Sequence, residues 1–124
     1  LILSVDLEST VPPFEQVRSQ IAAMAASGVL PTGTRLPPIR QLAADLGLAP
    51  GTVSRAYREL EAAGVLVANG RHGSHIAQPP VISQDERENQ LRRAAAGYAL
   101  QAAQLGASKD DAIDMARTAI ESLT

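Results

Sequence analysis

The residues with the clearest capacity for chemistry lie between Gly51 and Arg58. With successive residues 100° apart, Gly51, Ser54, Arg55 and Arg58 fall on one side of a helix. Val53, Ala56, Tyr57 and Leu60 form an apolar stripe on the other side. A guanidinium donates paired hydrogen bonds to a guanine edge or a phosphate, and an α-helix fits the DNA major groove. Arginines and small polar groups on the outer face of a helix anchored by its inner stripe therefore suit insertion into duplex DNA. Glycine- and base-rich residues recur at Arg71-His72-Gly73, where a loop could follow the phosphate backbone or minor groove.

Other candidate sites are poorer. The chain has no cysteine, which excludes a disulfide framework and thiolate chemistry. His72 and His75 are three apart in a predicted hairpin, so they point to different faces and lack nearby carboxylates. His72 is expected to touch phosphate and His75 to sit on the strand surface. Asp110, Asp111 and Asp114 lie at a predicted helix start, where negative charge suits the dipole better than it signals a metal site. Gly70-x-x-Gly73 is too short a pattern for a nucleotide loop. The expectation is no catalytic residue, no metal and no cofactor.

The elements that must position these residues follow from periodicity and punctuation. Leu1–Leu7 alternates loosely and suits a short strand or an extended arm. Phe14, Val17, Ile21 and Met24 mark a first helix opened by Pro12-Pro13, with Thr10 as its expected cap and Gly28 at its end. Pro31-Thr32-Gly33-Thr34 is a turn-rich link. A second helix spans about Ile39 to Leu46, buries Leu42, Ala43 and Leu46, and stops at Gly47. Pro50 opens the third, which runs to about Ala63 and stops at Gly64. Val65–Ala68 and Ser74–Ala77 read as strands joined through Asn69-Gly70. Three helices and a hairpin make a winged helix-turn-helix.

After the proline-stiffened stretch Gln78–Ser83, Ser83 and Glu86 form a capping box for a long helix over about Gln84 to Leu105. Ser108 and Asp111 start another. Leu91, Ala94, Tyr98, Ala102 and Leu105 share one side of the long helix, and Ile113, Ile120 and Leu123 stripe the last. Those apolar stripes are expected to pair two subunits.

The 124 residues allow one domain with an appendage. Aromatics make up 2%, so the core must come from Leu, Val, Ile and Ala. The lack of cysteine fits a reducing cytoplasm; no apolar run reaches membrane-span length and no signal peptide is visible, and the start at Leu1 leaves room for a short natural N-terminus. Net charge is −2, against the usual balance of a DNA binder, but the distribution is uneven. Leu36 to Arg58 holds three arginines against one acid, whereas the chain from Pro79 onward holds five basic and seven acidic residues.

Pro31-x-Gly33-x-Arg35-Leu36-Pro37-Pro38-x-Arg40-x-Leu42-Ala43, Leu46-Gly47-Leu48, Thr52 to Glu61, Gly64 and Gly73-Ser74-His75-Ile76 resemble the GntR family of bacterial transcription regulators. The short two-helix tail resembles the YtrA subfamily, and that resemblance implies dimerisation through the tail rather than an enclosed ligand pocket. It also implies DNA contacts at Arg40, Thr52, Ser54 and Gly73. The chain departs from the family pattern at Ser54, where arginine is common; at Ala49 and Pro50, where Ser and Arg or Asn are common; and at Arg71, where glycine is common.

The fold expected is mainly α with a small β-hairpin: a winged helix-turn-helix domain over 1–78, a linker over 79–83 and a two-helix dimerisation tail over 84–124. The function expected is that of a transcription regulator, a repressor, binding a near-palindromic operator on double-stranded DNA as a homodimer. Arg35, Arg71 and His72 are assigned to phosphate; Thr52, Ser54, Arg55 and Arg40 to base edges; Gly51 and Arg58 to the same DNA-facing surface. A small-molecule effector is left unidentified, and no membrane partner is expected. The alternative is a winged-helix protein-interaction module without sequence-specific DNA binding.

Overall fold

A computed structural model describes residues 3–123, the side chain of His72 excepted. The chain divides into two compact units, Leu1–Pro80 and Val81–Thr124.

The first unit contains α1 (Pro13–Ala26), α2 (Ile39–Leu46), α3 (Pro50–Ala62) and an antiparallel hairpin of β1 (Leu66–Ala68) and β2 (Ser74–Ile76). Leu1 and Ile2, part of the expected N-terminal strand or arm, lie outside the described residues. Leu3–Asp6 forms no strand, but its backbone is pinned to α1 by glutamine amides acting as peptide mimics. Gln20 Oε1 accepts from Ser4 N–H at 3.1 Å and its Nε2 donates to Ser4 C=O at 2.6 Å. Gln16 bonds both backbone groups of Asp6 at 2.8 Å. Thr10 does not cap α1: Pro12 takes that position with no side-chain bond, and its carbonyl accepts from Glu15 and Gln16. Proline at the first helical position has no N–H to satisfy, so the cap has less to do.

Gly47 ends α2 at φ +68°, a left-handed position that glycine occupies without strain. Leu48 N–H returns to the Ala43 carbonyl at 2.9 Å and turns the chain toward α3. The wing register pairs Leu66 with Ile76 and Ala68 with Ser74. The stretch read as a turn-rich link contributes more than a turn. Leu36 N–H donates to Ser74 C=O at 2.9 Å, Ile76 N–H to Thr34 C=O at 2.8 Å, and Gly33 N–H to Ile76 C=O at 2.7 Å. Residues 33–36 thus cover the free edge of β2 and tie the wing to the helices.

Val17 and Ile21 of α1, Val53 and Leu60 of α3, and Ile76 of β2 are completely or almost completely buried, so the core joins α1, α3 and the hairpin. Tyr57 is also buried, and its hydroxyl donates to Pro37 C=O at 2.7 Å. Burial pushes the phenol up to about 12 from its ordinary 10.0. A raised folded-state pKa means full stabilisation below pH 10, declining as pH rises toward 12. Tyr57→Phe is expected to cost about 1 kcal/mol at neutral pH. Urea unfolding at stepped pH should show the gap between the two proteins narrowing above pH 10; a constant gap would contradict the assignment.

The second unit is α4 (Gln84–Gln104) and α5 (Lys109–Glu121). Ser83 Oγ accepts from Glu86 N–H and Ser108 Oγ from Asp111 N–H, each at 3.1 Å, which is the serine half of each expected capping box; Glu86 Oε1 accepts instead from Gln90 Nε2 at 3.1 Å. No described residue of either helix is buried. Tyr98 turns toward α5 and its hydroxyl donates to Ala112 C=O at 2.6 Å.

Candidate nucleic-acid interface

The outward face of α3 is set by its inward one. Val53, Ala56, Tyr57 and Leu60 are sealed in the core, which leaves Gly51, Arg55 and Arg58 exposed and Thr52 and Ser54 half-buried. No atom comes within 4 Å of the place a Gly51 side chain would occupy. Ala49, the residue before α3, makes no side-chain cap bond. Arg40 is exposed in the first turn of α2.

The wing tip is a loop over residues 69–73 containing a single 3₁₀ turn, Gly70–His72, closed by Asn69 N–H on Gly73 C=O at 2.8 Å. Gly73 adopts φ +74°, ψ −163°, a conformation essentially restricted to glycine. Arg35 lies beside it, with Nε 3.6 Å from where a Cβ would stand, an ordinary contact distance, so the backbone conformation and not space is what calls for glycine here. A groove of about 880 Å³ separates the wing from α2 and α3, with Arg35, Arg71, Gly73, Gln41 and Ser74 among its lining and Glu61 as its acid. Asn69 Nδ2 lies 3.2 Å from His75 Nδ1. The expected phosphate contact of the His72 side chain lies outside the described residues.

The arginines differ in one respect. Among the described residues, Arg35, Arg40, Arg58 and Arg71 have no ion pair, so their charges are available. Arg55 is already engaged: its guanidinium lies 3.7 Å from the centroid of the Phe14 ring, and its Nε is 3.9 Å from Glu59 Oε2. Sequence reasoning placed Phe14 on the core stripe of α1 and missed this contact. The signal was faint, a lone phenylalanine at the start of a helix.

The tail holds the residues expected to pair subunits. Leu91, Leu105 and Ile120 are exposed, as are Ile113 and Leu123 to a lesser degree, and Ala94 is also exposed. Tyr98, itself exposed, and Ala102 line an apolar groove of about 890 Å³ between α4 and α5 together with Ile113, Ala116 and Ile120. Among the described residues, no group of three or more His, Asp or Glu side chains could hold a metal ion, and no helix is long and apolar enough to cross a membrane.

Residues 13–76 match the family described as bacterial regulatory proteins, gntR family. The chain is 41% identical over 111 residues to the HTH-type transcriptional regulator Rv1152 of Mycobacterium tuberculosis, covering 90% of this chain and 88% of that protein. It is 32% identical over 77 residues to the HTH-type transcriptional repressor YtrA of Bacillus subtilis, covering 62% and 59% of the two chains. The crystal structure of a transcriptional antiterminator from Listeria monocytogenes superposes with a TM-score of 0.75 at 27% identity, over 99% of this chain and 92% of that one.

Proposed function

The chain belongs to the gntR family of bacterial regulatory proteins, with the winged helix-turn-helix of a DNA-binding transcription regulator, and from that premise we propose that it represses transcription by binding a near-palindromic operator as a homodimer. The observation that supports this most is the set of four arginines without an ion pair among the described residues: Arg40 and Arg58 on the helix-turn-helix, Arg71 on the wing and Arg35 on the link beside β2. Overall charge is negative, so a basic surface must be built locally, and these are the elements that lie against DNA in a winged helix.

In this reading Thr52, Ser54 and Arg58 of α3, with Arg40 of α2, meet base edges, and Gly51 lets the helix approach closely. Arg55 leaves the helix within that face, between the directions of Gly51 and Thr52, but its side chain is drawn back to Phe14 and Glu59. Arg35, Arg71, His72 and the Gly73 backbone hold phosphates beside the wing. The apolar residues of α4 and α5 pair two copies, so two α3 helices address half-sites related by a two-fold axis. Repression is supported by the YtrA relative, a protein named as a repressor. The proposed location is the cytoplasm, where DNA is the partner and no cofactor is needed.

Selection of bound sites from a random duplex pool tests this reading. The expected product is an inverted repeat with half-site centres about 10–10.5 base pairs apart, or a multiple of that. Placed over a promoter, the site should lower reporter transcription when the protein is present. Arg58→Ala should weaken discrimination at one base pair per half-site, by roughly 1–3 kcal/mol. Arg71→Ala should instead weaken all duplexes alike and reduce the salt slope by about one. No enriched sequence would favour the protein-interaction alternative.

A further inference from the structure

We propose that Arg55 is a positioning residue and not a base reader: stacked on Phe14 and paired with Glu59, it braces the DNA-facing helix α3 against the first turn of α1. This rests on the DNA-binding reading above and assigns Phe14 and Glu59 a part in it.

The guanidinium is 3.7 Å from the Phe14 centroid, well inside the reach of a cation–π contact. One helical turn further along α3, Glu59 Oε2 is shielded from solvent and accepts no hydrogen bond. Its compensation comes from nearby positive charge, with Arg55 Nε at 3.9 Å. Arg18 of α1 lies on the same side. Arg18 Nε donates to Glu15 Oε2 at 2.6 Å, and that bond, opposed by burial and helped by the Glu15 charge and last by the field of Glu59, raises the affinity of its guanidinium for the proton. Acid and base thus alternate through Glu15, Arg18, Glu59 and Arg55 where α1 meets α3.

The helical positions agree with this arrangement. Counting 100° per residue from Gly51, Arg55 stands at about 40° and Glu59 at about 80°, both turned toward one flank. Arg58 at about 340° and Ser54 at about 300° lie on the other side of the helix's outermost line. For Arg55 to reach a base edge, it would have to uncover Phe14 and leave the shielded Glu59 oxygen without its cation. Arg58 gives up no such contact among the described residues. The longest free donor on this face is therefore Arg58, and Arg55 contributes by holding the angle at which α3 is presented.

The test is a double-mutant cycle of Phe14→Leu and Arg55→Gln in the full chain. The probes are the duplex selected by the wild-type protein, its single-base variants and a shuffled duplex. Each single substitution is expected to weaken binding to the selected duplex by about two- to five-fold, the worth of an exposed cation–π contact. The double variant should be no weaker than the weaker single, because both remove one contact. Base preference and salt slope should stay as in the wild type, and Arg55→Lys should recover part of the loss. If Arg55→Gln flattens preference at one base pair, or lowers the salt slope by about one while Phe14→Leu does neither, the brace is wrong and Arg55 touches DNA. Unchanged affinity in both single variants would overturn it too. Thermal unfolding of each variant guards against misfolding; if Arg55→Gln does not fold, Phe14→Leu decides alone, since a free Arg55 reader predicts no loss. A wild-type protein that selects no duplex would count against the DNA-binding reading itself, a result distinct from any of these.

Discussion

Removing everything after Ala77 is expected to leave a folded monomer whose specific DNA binding is about 10²–10⁴-fold weaker than that of the full chain. Folding should survive because the core cluster is built wholly from residues between Leu3 and Ile76. The cut also keeps the Ala77 N–H bond to Val65 C=O at 2.8 Å, which closes the base of the wing. Binding should fall because one winged helix reads few base pairs, whereas two tethered copies make the second contact intramolecular. The tail is the proposed tether. Leu91 and Leu105 are 68% and 86% exposed and Ile120 is 65% exposed, more apolar surface than a two-helix unit gains by leaving in water. Tyr98 must be handled separately, because its bond to Ala112 C=O supports the α4–α5 pair itself. Tyr98→Phe removes only that bond, while Tyr98→Asp adds a charge at the edge of the apolar groove and should dissociate the dimer. Sedimentation of full-length and truncated proteins at micromolar concentration is the measurement. A monomeric full-length chain, or a truncated chain that still dimerises, would remove the tail from its proposed role.

Leu60→Ala should have the largest effect on stability, about 2–5 kcal/mol. Leu60 is 0% exposed, and it lies on the inner stripe of the helix whose other side is offered to DNA. In a domain of roughly 80 residues each kcal/mol moves the melting midpoint by about 4–8 °C, so calorimetry should record a large fall. DNA binding would be lost with the fold, not through any contact. Leu105→Ala is the matching control: an exposed leucine in the other unit should leave the winged unit's melting within about 0.5 kcal/mol. Equal effects of the two substitutions would mean that the core has been placed wrongly.

Local signals carried much of the architecture. The stripe at Val53, Ala56, Tyr57 and Leu60 is the buried face of α3, and Gly47 takes the left-handed position between the two helices. Ser83 and Ser108 cap the tail helices with the bonds their spacing implies. These features depend on residues three or four apart, and helical geometry brings such residues together whatever surrounds them. The N-terminal cap of α1 was read wrongly because Thr10 and Pro12 both suit a helix start, and the backbone path chose between them.

Tertiary packing decided the contacts that cross from one element to another. The strand-like pairing of residues 33–36 with β2 had no β-branched run to announce it; its hydrogen bonds arise because the link passes beside an unpaired strand edge. Tyr57 was legible as core, but the destination of its hydroxyl, Pro37 C=O, depended on how α3 sits against the start of α2. Arg55 is the clearest case. Periodicity put it on the outer face of α3, and it is there, yet its long flexible side chain reaches back to a ring on α1. A helical period fixes the direction in which a side chain leaves the backbone. Where four rotatable bonds then carry a charge is set by the neighbours that folding supplies.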